Sequence, residues 1–354
     1  MKKAAVGLSG GVDSAVTAYL LKNQGYEVIG VTLKLNEKEQ DDSINDARNI
    51  AQYLGIDFAV SDYSEKFRHE VSEYFVSEYI AGRTPNPCCR CNRMVKFAAL
   101  RDFASQNDIE YIATGHYAQI IKLPNGRFTV QKALCDSKDQ TYALYNLTQN
   151  EIEKTLMPLG DYTKEKIRSI AQEAGLPVAD KKDSQDICFI PDGDYAAYLR
   201  AFVRNNPECG FSLPSKGRFI DENGAILGEH TGYTDYTIGQ RKGLNVAAGH
   251  RVYVKNINPS RNEVILSDED VYSSSLTADE INMMGIETID TPVRMYAKIR
   301  YAHKGEWCIV TPQNDGTLSC EFEKNVRAVT PGQAVVFYSD DSSQRYILCG
   351  GTII

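Results

Sequence analysis

Residues 7–14 read GLSGGVDS, set between the apolar run Ala4-Ala5-Val6 and a helix-forming stretch from Ala15 to Leu21. A strand that ends in a glycine-rich turn and runs straight into a helix limits what the rest of the chain can build. The glycines let a ligand approach the backbone, and the free N–H groups at the helix start favour an anion. Ser9 and Ser14 add hydroxyl donors, and Asp13 stands where it can help hold a magnesium ion through oxygen. The lysine with which a Walker loop grips a transferred γ-phosphate is absent. A lysine-free cradle suits pyrophosphate as a leaving group, with attack at the α-phosphate of ATP and AMP left on the acceptor. Gly7, Leu8, Ser9, Gly10, Gly11, Val12, Asp13 and Ser14 are therefore the expected ATP-binding loop.

The first half of the chain keeps the rhythm that such a loop requires. AAVGL is followed by a helix ending at Gly25, placed as a C-cap. YEVIGVTLKL reads as a second strand, residues 46–54 as a helix stopped by Gly55, and IDFAVSDY as a third strand. FRHEVSEYFVSEYIAG carries apolar residues at Val71, Phe75, Val76 and Tyr79, the spacing of an amphipathic helix. A helix through Val95-Lys96-Phe97 and a fourth strand over DIEYIATGHYAQI complete the alternation, which implies a parallel sheet wound by helices. After about Pro191 short alternating runs and turns take over. GRFI, AILGEH, YTIGQRKG, HRVYVKNI and NEVILS predict a small β-rich connector. A polar stretch at 267–280 separates it from TPVRMYAKIRY, EWCIVTP, LSCEFE, QAVVFYS and RYILCGGTII, expected to form a terminal β-barrel. At 354 residues the chain exceeds one compact core. The expected division is an α/β ATP-binding catalytic domain over 1–200, the connector over 201–275 and the barrel over 276–354.

Bulk properties narrow the function. Hydrophobic residues at 42% and charged residues at 24% are ordinary for a soluble globular protein. No apolar run approaches the ~20 residues that span a bilayer, no signal peptide is expected before the first strand, and the expected location is the cytoplasm. A net charge of −8 argues against coating nucleic acid nonspecifically, yet allows one basic face for a structured RNA. Nine cysteines, three of them in CCRC at 88–91, suit reduced thiols used for chemistry or metal rather than staples. Cys91, in a proline-bounded polar loop near a helix start beside Arg90 and Arg93, is expected to have its thiolate favoured. Cys188 stands far downstream in DSQDICFIPDGDY, while Cys135, Cys209, Cys308, Cys320 and Cys349 read as small buried hydrophobes.

SGGVDS resembles the loop of the PP-loop ATP pyrophosphatases, in which ATP adenylates an oxygen that a nucleophile then displaces. PNPCCRCNRMVKF, ATGHYA (113–118), KDQTYAL (138–144), DSQDICFI (183–190) and YTIGQRKGL (236–244) further resemble the tRNA-specific 2-thiouridylases, the MnmA family. These motifs fall in the family's order along nearly the whole chain. The resemblance implies ATP with magnesium, adenylation of O2 of the wobble uridine in lysine, glutamate and glutamine tRNAs, and attack of an enzyme-borne sulfur at C2. It puts the nucleophile on Cys91 and the persulfide carrier on Cys188, a pair able to form a disulfide after turnover. It implies ATP contacts at Leu33 and Gly115, and tRNA contacts at His116, at Lys138, Asp139 and Gln140, at Arg300 and Tyr301, and at Gln333. Spacing alone leaves His116 equally a packing histidine and residues 138–140 a solvated turn. A cysteine desulfurase or a sulfur-carrier protein is the implied donor, and a monomer is expected.

One position departs from the family pattern. Many members carry an aspartate three residues before the nucleophile; here that residue is Cys88, so an acid–base role does not carry over. Cys88, Cys91 and Cys188 are three thiolates able to hold an iron–sulfur cluster with one open iron. Two sulfur routes therefore stay open, a persulfide relay and a cluster-bound sulfide. Two rival readings differ in kind. A PP-loop amide-forming ligase needs neither cysteine, and a non-catalytic metal- or RNA-binding protein does not need an intact SGGVDS.

Overall fold

The computed structural model describes residues 2–35, 41–181, 187–190, 192–340 and 345–354. Strand β1 (Lys3–Gly7) leads through the glycine turn into α1 (Val12–Asn23), followed by β2 (Glu27–Lys34), α2 (Asp41–Leu54) and β3 (Asp57–Asp62). A π-helical turn at Arg68–Glu73 precedes α3 (Tyr74–Ile80). Next, α4 (Pro87–Cys91) runs through a second π-helical turn, Asn92–Phe97, into α5 (Ala98–Gln106). The chain returns to the sheet as β4 (Tyr111–Ala113), makes the hairpin β5 (Ala118–Lys122) and β6 (Phe128–Lys132), and adds the short β7 (Thr155–Leu156) and α6 (Lys164–Glu173).

The sheet has the order β3-β2-β1-β4-β7 with every pair parallel. Strand order reverses between β1 and β4, so the loops after these two strands flank the crevice where open α/β sheets bind ligands. Ala4, Ala5 and Val6 of β1 are fully buried, as a central strand covered on both faces must be. DIEYIATGHYAQI, expected as one strand, is two. β4 stops at Ala113, and the chain turns toward α1 before β5 begins. Gly115 accounts for the break: a Cβ there would lie 3.0 Å from the carbonyl carbon of Asp13 and 3.1 Å from the amide of Ser14.

A capped helix, α7 (Tyr195–Asn205), for which the alternation gave no signal, packs Leu199 and Phe202 against Phe75, Val76 and Tyr79. Strands β8 (Gly217–Ile220), β9 (Ile226–His230), β10 (Tyr253–Asn258) and β11 (Glu263–Ser267) then form the small sheet β10-β11-β8-β9. YTIGQRKG contributes turns rather than a strand, with Gly239 and Gly243 both at positive φ. The polar stretch at 267–280 is not a separator. Most of it is β12 (Tyr272–Met283), which buries Leu276 and Ala278 while Tyr272, Ser274, Ser275 and Glu280 are exposed. The low apolar count hid a period of two. β12 joins β13 (Val293–Lys298), β14 (Glu306–Pro312), β15 (Leu318–Arg327), β16 (Ala334–Tyr338) and β17 (Ile347–Ile353) in a closed barrel ordered β12-β15-β14-β13-β16-β17.

The barrel shares a core with the α/β domain. Tyr142, Leu144 and Leu147 pack with Val336, Tyr338, Ile347 and Met284. Polar bonds fix the docking: Thr129 donates to the Ile347 carbonyl (2.6 Å), and Arg127 reaches the carbonyls of Met283 and Met284 at 2.6 and 2.9 Å. The fully buried Tyr142 hydroxyl donates to the Ala334 carbonyl at 2.7 Å. Tyr142→Phe leaves that carbonyl without its partner, so the variant should lose about 1–3 kcal/mol in denaturant unfolding. An unchanged unfolding midpoint would show that the docking does not depend on this bond.

Candidate active site

The glycine turn is held open by its own serines. Ser14 Oγ accepts from the Ser9 amide at 3.2 Å, lies 3.2 Å from Ser9 Oγ and donates to the Gly11 carbonyl at 3.0 Å. Gly10 sits at φ 72°, and a Cβ there would come within 2.7 Å of the Ser43 carbonyl oxygen on α2. Leu8 is buried, and its carbonyl accepts from Thr32 Oγ1 at 2.7 Å, tying the loop to the end of β2 where half-buried Leu33 lies. Asp13, in the first turn of α1, does not stand alone. Its Oδ1 accepts from Tyr117 Oη at 2.8 Å, and Lys164 Nζ contacts Oδ1 and Oδ2 at 2.7 and 2.9 Å. Gln140 completes the frame by exchanging bonds with the Tyr117 backbone at 2.9 and 3.0 Å.

The cysteines sit on the neighbouring helix. Asn86 caps α4, its side chain accepting from the amides of Cys88 and Cys89. Cys91 closes α4 and is buried among Phe67, Val71 and Val95, with Phe189 packed on the same cluster. Phe189 is itself clasped edge-on by Phe67 and Phe75, at 5.4 and 5.7 Å between centroids, which fixes the exposed neighbour Cys188. The π-helical turn matters at this point. In an α-helix a residue five positions after Cys91 points away, whereas an i→i+5 turn returns Lys96 toward the cysteine face. Burial works against the Lys96 charge, yet the thiols of Cys91, Cys188 and Cys88 together hold its pKa above the ordinary lysine value. The same ammonium acts on His116. Burial first, then Lys96, depresses the imidazole pKa to about 3, so His116 is neutral at pH 7, stacked on Phe97 and bonded to Thr114 Oγ1 at 2.9 Å.

The expected activation of Cys91 by its helix and arginines is not what the fold provides. Cys91 closes the first helical segment rather than opening it, and Arg90 is spent on Glu70, at 2.8 Å, and on the Tyr74 ring. Burial raises the Cys91 thiol to about 12, and Lys96 is the cation that opposes the rise. Desolvation raises Cys88 as well, and Lys96 opposes that rise. From the barrel, half-exposed Tyr301 packs edge-on against Tyr142, at 6.4 Å between ring centroids. Desolvation raises its phenol, and Asp139, Lys138 and Cys88 all act on it electrostatically. Groups of the α/β domain and a phenol of the barrel thus act on one another electrostatically near the thiol helix.

Residues 2–192 match the model of the tRNA methyl transferase HUP domain, 210–268 the tRNA methyl transferase PRC-barrel domain, and 273–354 the aminomethyltransferase beta-barrel domain. The chain is 47% identical to the tRNA-specific 2-thiouridylase MnmA of Lachnoclostridium phytofermentans, over 100% of both chains. It is 48% identical to tRNA-specific 2-thiouridylase MnmA 1 of Clostridium botulinum strain Loch Maree, over 100% of this chain and 99% of that one. The chain belongs to the MnmA family.

Electrostatic coupling links Cys88, Cys91 and Cys188 to Lys96 and Lys96 to His116, while Asp139, Lys138 and Cys88 act on Tyr301. Asp139 bonds Thr141, and burial raises its carboxyl above the usual range. Two residues expected at a tRNA surface, both half-buried, also bond within the protein. Arg300 bonds Thr330 Oγ1 at 3.0 Å and the Ala328 carbonyl, and Gln333 donates to the Thr84 carbonyl at 2.8 Å. Asp183 to Asp186 of the Cys188 motif lie outside the described residues. Among the described residues no three Cys, His, Asp or Glu side chains are grouped as a metal ion needs. Cys88, Cys91 and Cys188 are therefore not grouped to hold a cluster in this conformation.

Sequence reasoning missed Lys96, Tyr117, Lys164 and Lys181 as parts of the site. Lys96 and Tyr117 lay inside quoted motifs, but nothing near Lys164 marks it, because its partner is 151 positions away. Lys181 donates to the Gly10 carbonyl at 3.0 Å and to Asp46 at 2.6 Å, bracing the turn from the other side. Because the Cys91 pKa stands at about 12, its alkylation by iodoacetamide in the free protein should climb about tenfold per pH unit across neutral pH, with no plateau below pH ~11. Lys96→Met removes the cation that lowers this pKa and should slow alkylation at every pH, with Lys96→Arg close to wild type. Site-resolved mass spectrometry reads the rate, and a plateau near pH 9 would mean an ordinary thiol.

Proposed function

We propose that the chain is an ATP-dependent tRNA-uridine 2-sulfurtransferase acting on the wobble uridine of lysine, glutamate and glutamine tRNAs. The observation that carries the reading is the adjacency of two half-sites on one sheet edge. The SGGVDS loop and the Gly115 turn meet at the β1/β4 switch point, and the thiol helix shares the His116 and Lys96 neighbourhood. Its 47% identity over full length to a 2-thiouridylase supports the same conclusion.

In this reading the loop amides, Ser9 and Ser14 bind the phosphates, with Leu33 and Gly115 toward the adenosine. Magnesium, for which the Asp13 carboxylate is a suitable oxygen donor, would neutralise polyphosphate charge when bound. O2 of the base attacks the α-phosphorus, the bond to the bridging oxygen breaks, and pyrophosphate leaves with the electron pair. Cys188 receives the outer sulfur from a desulfurase or carrier protein and passes it to Cys91. The terminal sulfur of the Cys91 persulfide attacks C2, and AMP departs with the former O2. The Cys188 thiolate then attacks Cys91 Sγ, releasing 2-thiouridine and leaving a Cys91–Cys188 disulfide that an external dithiol must reduce. Neutral His116 and Tyr301 face the base, while Lys138, Asp139, Gln140, Arg300 and Gln333 belong to the tRNA-facing surface. The nine free cysteines suit a reducing cytoplasm, and we take the enzyme as a monomer.

Enzyme, ATP, a persulfide donor and unmodified tRNA should yield 2-thiouridine by nucleoside mass spectrometry; its absence would defeat the reading. Cys91→Ser and Cys188→Ser should each abolish the product. Cys88→Ser should keep activity within a few fold under the relay. Its inactivity, together with iron and acid-labile sulfide in anaerobically purified wild type, would establish the cluster route instead.

A further inference from the structure

The barrel reaches the start of the thiol helix through the turn Pro331-Gly332-Gln333, which leads into β16. On the barrel side the turn is fixed. The Gly332 amide donates to the Ile353 carbonyl and the Ile353 amide to the Gln333 carbonyl, both at 2.8 Å. Arg300 bonds the hydroxyl of buried Thr330, the residue before the turn, at 3.0 Å. On its other side the turn takes both backbone groups of Thr84. The Thr84 amide donates to the Pro331 carbonyl at 2.8 Å, and the Thr84 carbonyl accepts from Gln333 Nε2 at 2.8 Å. Gly332 sits at φ 88°, a strained region for any side chain, and a Cβ there would lie 3.0 Å from Arg83 Cβ and from the Thr84 amide.

Thr84 stands two residues before the Asn86 cap. Pro85 and Pro87 are both buried; each fixes its own φ and disfavours helical backbone at the residue before it. The stretch from Thr84 to Pro87 therefore has little freedom to absorb a shift at one end before it reaches the other. At the far end Asn86 accepts from the Cys88 and Cys89 amides at 3.1 and 3.3 Å, and α4 carries Cys91 into the cluster of Phe67, Val71 and Val95. A stiff segment held at one end places what lies at the other.

We propose that the Pro331-Gly332-Gln333 turn of the barrel positions the Cys91 thiol. By clasping Thr84 it sets the start of the thiol helix, and with it the depth at which Cys91 is buried. Gly332 and Gln333 are positioning residues that act through Thr84 and Asn86. Sulfur chemistry at Cys91 is thereby tied to the seating of the barrel. With the clasp closed the thiol stays away from water and protonated; with it open the helix start is released and the thiol meets solvent.

The inference deepens the sulfur-transfer reading above, and alkylation of the free protein separates the two, since it needs neither tRNA nor ATP. Iodoacetamide labelling, resolved by site with mass spectrometry, compares wild type, Gln333→Leu, Gly332→Ala and Thr129→Val, the last removing a docking bond elsewhere in the seam. Gln333→Leu and Gly332→Ala should each raise Cys91 alkylation at pH 8 about tenfold, as a one-unit fall in its pKa would. Buried Cys308, Cys320 and Cys349 of the barrel core should stay at the wild-type rate. Thr129→Val should leave Cys91 within about twofold of wild type, as an independent site does. An unchanged Cys91 rate in both turn variants would overturn the inference; should Gly332→Ala fail to fold, Gln333→Leu decides alone. An equal rise at Cys91 and the barrel thiols, or the same rise in Thr129→Val, would mean general loosening and would overturn it too. A wild type that makes no 2-thiouridine would defeat the sulfur-transfer reading and leave the clasp intact.

Discussion

The approach of Gly115 to the first turn of α1 is the constraint on which the site depends. A Cβ at this position would lie 3.0 Å from the Asp13 backbone and could enter only if that backbone gave way by a few tenths of an ångström. That contact lets the loop after β4 lie on the loop after β1. It therefore sets where Tyr117 meets Asp13 and where His116 meets Phe97 and Lys96. The switch point of the sheet makes the approach available, since only there do neighbouring loops open to opposite sides.

Around this contact the molecule places two chemistries with opposite electrostatic needs. The phosphate loop must gather positive charge, and Lys164 and Lys181 reach it from segments far along the chain. The thiol helix must keep a sulfur nucleophile away from water, and burial that protects Cys91 also holds it protonated. Lys96 is the compromise. It is close enough to favour a thiolate and to keep His116 neutral, and the π-helical turn turns it to the cysteine side.

The barrel adds a wall to the site as well as mass to the chain. Its docking on Tyr142 and Thr129 sets Tyr301 edge-on against Tyr142, within electrostatic reach of Cys88, and Gln333 bonds across the seam to the Thr84 carbonyl. Arg300 braces the barrel from within through Thr330, and Gln333 helps to hold the barrel on the α/β domain. A residue that resembles a tRNA contact by motif is here also a structural strut.

Local signals were legible where the physics is local. The glycine turn, the barrel hairpins and the cysteines announced themselves because backbone conformation and side-chain chemistry act within a few residues. β12 was misread because its inward Leu276 and Ala278 are outnumbered by serines and acids, and burial follows alternation rather than count. The Cys91 environment was misread because desolvation belongs to the packed neighbourhood of Phe67, Val71 and Val95. The sequence by itself determined a parallel α/β nucleotide domain, a β-rich tail and the residues able to carry phosphate and sulfur chemistry. Tertiary structure alone decided which charges serve them, because an ion pair between Asp13 and Lys164 is chosen by folded distance and burial, and separation along the chain carries no trace of either.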